Sequence, residues 1–199
     1  MEIDTLLEEL IKLDYFKDNE RYEELINVIL KDDSLIQKLK SKAEIMILEE
    51  TEPIVSKLIE IISELAITYE KVDIDFSNVI YTIIFREYNC NISSVNYHIK
   101  LLKEFNSDIN GIFHKLLNSI LDKNPQNTIV VLYSLYPLGV TSKNVPKEDF
   151  ERLLKLVVEC ISSNRNNQIL RLAIKRELMK RIDRNEFNYY YNKLLIALD

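Results

Sequence analysis

Acid–base chemistry near neutral pH usually needs histidine or a carboxylate whose surroundings have moved its pKa. This chain has two histidines, His98 and His114. They lack the i, i+4 spacing that presents two imidazoles on one helix face to zinc. Cys90 and Cys160 have no Cys-x-x-Cys pattern and no adjacent histidine, so they read as buried thiols in a reducing interior. Asp73-x-Asp75 could offer two carboxylates to a divalent ion, but no third ligand is nearby and Asp75 is placed to cap the helix that follows. With 2 Gly in the whole chain there is no Gly-rich phosphate loop. The expectation is a chain with no catalytic residue, no metal site and no cofactor.

Residues suited to recognition gather towards the other end. Arg165, Arg171, Lys175, Arg176, Lys180, Arg181 and Arg184 stand against only Glu177 and Asp183 in residues 161–184. On one α-helix from Asn167 to Ile182, Arg176, Lys180 and Arg184 would form one four-residue row, and Arg171 with Lys175 another. Leu170, Ile174, Leu178 and Ile182 would make one apolar face, with Leu172 and Met179 on another, so the helix should pack on both sides. The next segment carries Phe187, Tyr190, Tyr191, Leu194, Leu195 and Leu198 at helical spacing, and the run Tyr189-Tyr190-Tyr191. Charge is unevenly distributed: residues 1–50 hold 7 basic and 14 acidic side chains, and residues 161–199 hold 8 and 4. Three uses of the basic segment follow: docking on the acidic N-terminal helices of the same chain, binding an acidic protein partner or a second copy, or contacting a phosphate backbone. The residues expected at a partner surface are Arg171, Lys175, Arg176, Lys180, Arg181, Arg184 and Tyr189.

The elements that must position these groups read as helices throughout, with apolar residues at three- and four-residue spacing behind plausible N-caps. Thr5-x-x-Glu8 has the capping-box form and opens a helix to about Phe16. Asn19 opens a second, Ser34-x-x-Gln37 a third with Leu35, Ile36, Leu39, Ala43, Ile47 and Leu48, and Thr51 with Pro53 a fourth running to Tyr69. Val79–Phe85 and Thr128–Tyr133 have the β-branched content of strands, but two short strands with no further partner make a poor sheet, so helices over 75–88 and 125–135 are preferred. Further helices are expected over 93–105, 107–121, 146–161, 167–182 and 185–198. The longest connection, 136–145, holds Pro137 and Gly139 and is the best sub-boundary in a single domain of 1–199.

Two resemblances emerge. Phe113–Asp122 aligns with Phe150–Glu159 at an offset of 37, matching Phe, a basic residue, Leu-Leu and an acidic end, and Ile129–Leu132 aligns with Ile169–Leu172 at an offset of 40. A helix-pair period of this length resembles HEAT or armadillo repeats, which implies a short curved stack binding a partner along one surface. Separately, Ile92–Glu104 resembles the recognition helix of winged-helix regulators, which would place Ser93, Ser94, Asn96, Tyr97 and Lys100 near DNA. No basic β-hairpin wing follows it, and the preceding helix is apolar.

The composition is 47% apolar and 29% charged with a net charge of −6, which fits a folded globular chain and argues against a general nucleic-acid coat. The longest uncharged run, Asn124–Ser142, is interrupted by Pro125, Pro137 and Gly139 and is a poor membrane span; the start of the chain carries charges throughout, unlike a signal peptide. The reading is a cytoplasmic all-α protein of ten or eleven short antiparallel helices, as a bundle or a short repeat stack. Its expected role is a non-enzymatic protein–protein interaction module, an adaptor, inhibitor or assembly subunit. The alternative is a nucleic-acid-associated factor using Arg171 to Arg184 and the segment 93–104, which steep salt dependence would reveal.

Overall fold

The computed structural model describes residues 3–13, 17–86, 92–120 and 124–199. Cys90, Phe16, Tyr88 and residues 121 and 122 of the aligned segment lie outside these. Among the described residues there are eleven α-helices and no strand. Packing divides the chain into two units, Met1–Ile83 and Ile84–Asp199, and the 136–145 connection lies inside the second.

The first unit contains α1 (Ile3–Lys12), α2 (Asn19–Leu30), α3 (Asp33–Glu49), α4 (Glu52–Ser63) and most of α5 (Ser77–Ile84). Each of α1 to α4 turns one apolar stripe inward, so Leu6, Leu10, Leu25, Ile26, Leu39 and Leu58 are buried. Two caps differ from the sequence reading. Helix α1 starts at Ile3, so Thr5 lies within it and cannot accept from its first free amides. Helix α3 starts one residue before Ser34, because the Asp32 carboxylate accepts the Ser34 amide at 2.9 Å; a carboxylate there also favours the positive helix end. Leu48, expected on the inward face of α3, is exposed. The Asp75 carboxylate accepts the Ser77 amide at 2.7 Å and starts α5, the capping role expected for it.

The second unit has α6 (Ile92–Phe105), α7 (Ile109–Asn118), α8 (Pro125–Leu138), α9 (Lys147–Ser163), α10 (Gln168–Ala173) and α11 (Asn188–Leu198). Helix α8 packs on α6 and α10, and α9 packs on α7 and α11. Helix α8 also packs on α7 and α9, and this enclosure is why a β-branched run is helical there: Ile129, Val130, Val131, Leu132 and Leu135 are all buried, and burial on every side replaces the alternation a strand would need. Its buried hydroxyls return to carbonyls of the same helix, Thr128 Oγ1 donating to Asn124 O at 2.9 Å and Ser134 Oγ to Val131 O at 2.7 Å. Asn124 caps α8 through the Gln126 amide, with Pro125 in the first turn, and Gly139 ends it at φ 69°. The helix therefore runs three residues beyond the expected Leu135.

Phe113, Phe150 and Phe187 recur every 37 residues through this unit, and each is buried. The rings of Phe150 and Phe187 lie 5.5 Å apart. The paired leucines that align in α7 and α9, Leu116-Leu117 and Leu153-Leu154, are buried as well.

Candidate partner-binding surface

The basic segment is not one α-helix. Asn167 accepts the Leu170 amide at 2.9 Å and starts α10, but after Ala173 the backbone widens into a π turn over Ile174–Leu178 and then tightens into a 3₁₀ turn over Met179–Arg181. The expected apolar face survives, because Leu170, Ile174, Leu178 and Ile182 are all buried. The basic residues Arg176, Lys180 and Arg184 therefore do not share one continuous α-helix: Arg176 is in the π turn, Lys180 in the 3₁₀ turn and Arg184 beyond it, although Lys180 and Arg184 line one cleft. The expectation of packing on both sides also fails, since Leu172 is 45% exposed.

The seven expected partner residues separate into different environments. Arg171 is half-buried and donates from Nη1 to Ala197 O at 3.1 Å and from Nη2 to Leu198 O, closing the C-terminal end of α11, where a cation also suits the helix dipole. Arg181 lies 3.8 Å from Glu177 and 5.8 Å from the centre of the Tyr136 ring. The Arg184 guanidinium stands 4.5 Å over the Tyr191 ring. Tyr189 is exposed, meets Tyr190 edge-on and has Lys193 Nζ 4.6 Å above its ring. Lys175, Arg176 and Lys180 are exposed and make no ion pair or hydrogen bond among the described residues.

Two concave surfaces result. One lies where α9, α10 and α11 end, a groove of about 460 Å³ bounded by Val158, Ser162, Arg165, Arg171, Lys193 and Ile196. Near it in the chain, the outer side of α10 exposes Ile169 (58%) with Leu172, and α11 exposes Ile196 (76%). The other lies between residues 141–143 and 180–185, with a volume of about 400 Å³, and brings Lys143 to Lys180, Arg181 and Arg184. Of these residues, Lys143, Ile169, Lys193 and Ile196 were not singled out from the sequence. The spacing of Ile169, Leu172 and Arg176, opposite the buried Leu170 and Ile174, carried the signal for the outer face of α10. The meeting of Lys143 with Arg184 had no local signal.

The other candidate groups have structural partners. His98 is buried in α6, its Nδ1 has no hydrogen-bond partner among the described residues, and burial pushes its pKa down to about 4, so it is neutral at pH 7. His114 Nδ1 lies 3.0 and 3.2 Å from the Asp149 carboxylate oxygens, linking α7 to α9 at the surface. This gives a histidine an orienting carboxylate, but no hydroxyl or thiol is bonded to the ring among the described residues, as nucleophilic catalysis would need. Cys160 is buried and desolvation raises its thiol pKa, which makes it unreactive. No group of three metal-ligating side chains occurs among the described residues. Of the DNA-facing set suggested for α6, Ser93, Tyr97 and Lys100 are exposed, whereas Ser94 and Asn96 are half-buried. No described helix is long and apolar enough to cross a membrane.

No family model, curated protein or solved structure matches this chain.

Proposed function

We propose that this protein is a non-enzymatic intracellular interaction module, an adaptor, inhibitor or assembly subunit, that receives an acidic protein segment with apolar anchors on the ends of α10 and α11. The observation that carries this reading is that Lys175 and Arg176 are exposed with no carboxylate partner among the described residues, on the segment that also exposes Ile169 and Leu172. Apolar and aromatic anchors beside Arg, with a charged rim, are the composition of protein interfaces. The 37-residue recurrence of Phe113, Phe150 and Phe187 and the packing of α8 on α6 and α10 and of α9 on α7 and α11 support a short HEAT- or armadillo-like stack as the scaffold. A net charge of −6 and the apolar share of this surface favour a protein partner over nucleic acid.

The test is affinity purification of the tagged protein from its host, with and without nuclease, repeated with Leu172→Asp and with Arg176→Glu after circular dichroism has shown both variants folded. A stoichiometric protein that survives nuclease and is lost in both variants supports the reading. Nucleic acid recovered in a salt-sensitive manner, with proteins lost on nuclease treatment, refutes it and promotes the nucleic-acid alternative.

A further inference from the structure

The second concave surface carries more positive charge than its surroundings neutralise. Lys143, Lys180, Arg181 and Arg184 line it, against a single lining carboxylate, Asp183. That carboxylate is engaged in its own turn: it accepts the Asn185 amide at 3.0 Å and lies 3.4 Å from Lys143 Nζ, and these contacts hold its pKa below the usual range. Arg181 is partly offset by Glu177 at 3.8 Å, yet its Nε is buried without a hydrogen-bond partner among the described residues. Among the described residues Lys180 has no ion pair or hydrogen bond, and the Arg184 guanidinium lies over the face of Tyr191 with no carboxylate partner. The two walls are fixed to each other: the Ser142 amide donates to Arg181 O at 3.0 Å, and Ser142 Oγ accepts the Asp183 amide at 2.8 Å. The two backbone walls that carry the cations are thus tied together before an anion arrives, and only the exposed Lys143 and Lys180 side chains remain to be ordered by it.

We propose that this cleft binds the dianion of a phosphomonoester. Lysine supplies a point charge and arginine a planar fork for phosphoryl oxygens, and a volume of about 400 Å³ accommodates a phosphorylated side chain or a small sugar phosphate. The site is separate from the outer face of α10, so it goes beyond the interaction reading.

The test is titration of the full chain with a blocked Ala-phosphoserine-Ala peptide and, separately, with glucose 6-phosphate, followed by amide NMR shifts at constant ionic strength set with sodium chloride. Unphosphorylated peptide and glucose are the controls. Saturable shifts at Ser142, Lys143, Asp183 and Asn185 are expected, with Kd at least tenfold higher in Lys180→Ala/Arg184→Ala and unchanged in Leu172→Asp and Arg176→Glu. Tighter binding of the peptide assigns the phosphate to a protein side chain, and tighter binding of glucose 6-phosphate assigns it to a small metabolite; either supports the site. Shifts no larger than those from sodium chloride, or equal affinity in a folded Lys180→Ala/Arg184→Ala variant, overturn it. If the double variant fails to fold, Lys143→Ala replaces it with the same criteria.

Discussion

Lowering the pH should destabilise the second unit through a single side chain, His98. Its imidazole is buried, Nδ1 has no hydrogen-bond partner among the described residues, and burial pushes its pKa down to about 4 from the ordinary 6.5. The fold therefore prefers the neutral ring. Stability from this group is fully present above the unfolded value of 6.5, falls as pH drops through 6.5, and is completely lost below about 4. A gap of this size corresponds to about 3 kcal/mol in full, of which about 2 kcal/mol is lost between pH 7 and pH 5. The direct assay is the NMR titration of the His98 ring proton. The stability assay is urea unfolding of the natural chain and His98→Leu at pH 7.5, 6 and 5, with hydrogen exchange on α6 and α8 amides confirming that the second unit is observed. The carboxylates are common to both proteins, so the difference between them isolates the histidine. That difference should move by about 2 kcal/mol in favour of the variant as pH falls. A ring that titrates near 6.5, or a difference that stays flat from pH 7.5 to 5, would refute the reasoning.

Three further substitutions test the frame. Arg171→Met removes both guanidinium bonds to the last carbonyls of α11 and should cost about 2 kcal/mol in urea unfolding, with Arg171→Lys recovering only part because it lacks the fork. Gly139→Ala should cost about 1 kcal/mol from its left-handed φ of 69° alone, since an added Cβ meets nothing within 4 Å; Gly139→Asn should cost less. Phe150→Ala empties a fully buried position against Phe187 and should cost about 4 kcal/mol, whereas Phe150→Leu should cost less than half of that; equal losses would mean that the volume leucine retains recovers nothing and would refute the cavity argument.

The sequence by itself determined the helices. Periodic apolar residues chose an all-α fold, and Asn124, Asn167 and Asp75 marked starts that their side chains do cap. It also marked Leu170, Ile174, Leu178 and Ile182 as one buried face, because the need to remove apolar surface from water is local to a helix and readable from spacing. The same spacing carried more than the two aligned segments, since Phe113 and Phe150 are joined by Phe187 at the same interval. Competition between neighbouring caps was harder to read, and Asp32 displaced Ser34 by presenting its carboxylate two residues earlier. What only the tertiary structure decided is which cations remain free. A π turn and a 3₁₀ turn interrupt the single α-helix on which Arg176, Lys180 and Arg184 were expected, and the end of α11 claims Arg171. Lys143 meets Arg184 because Ser142 is tied to Arg181 and Asp183 across the chain. A charge's availability depends on groups distant in sequence, and no periodicity along the chain encodes that.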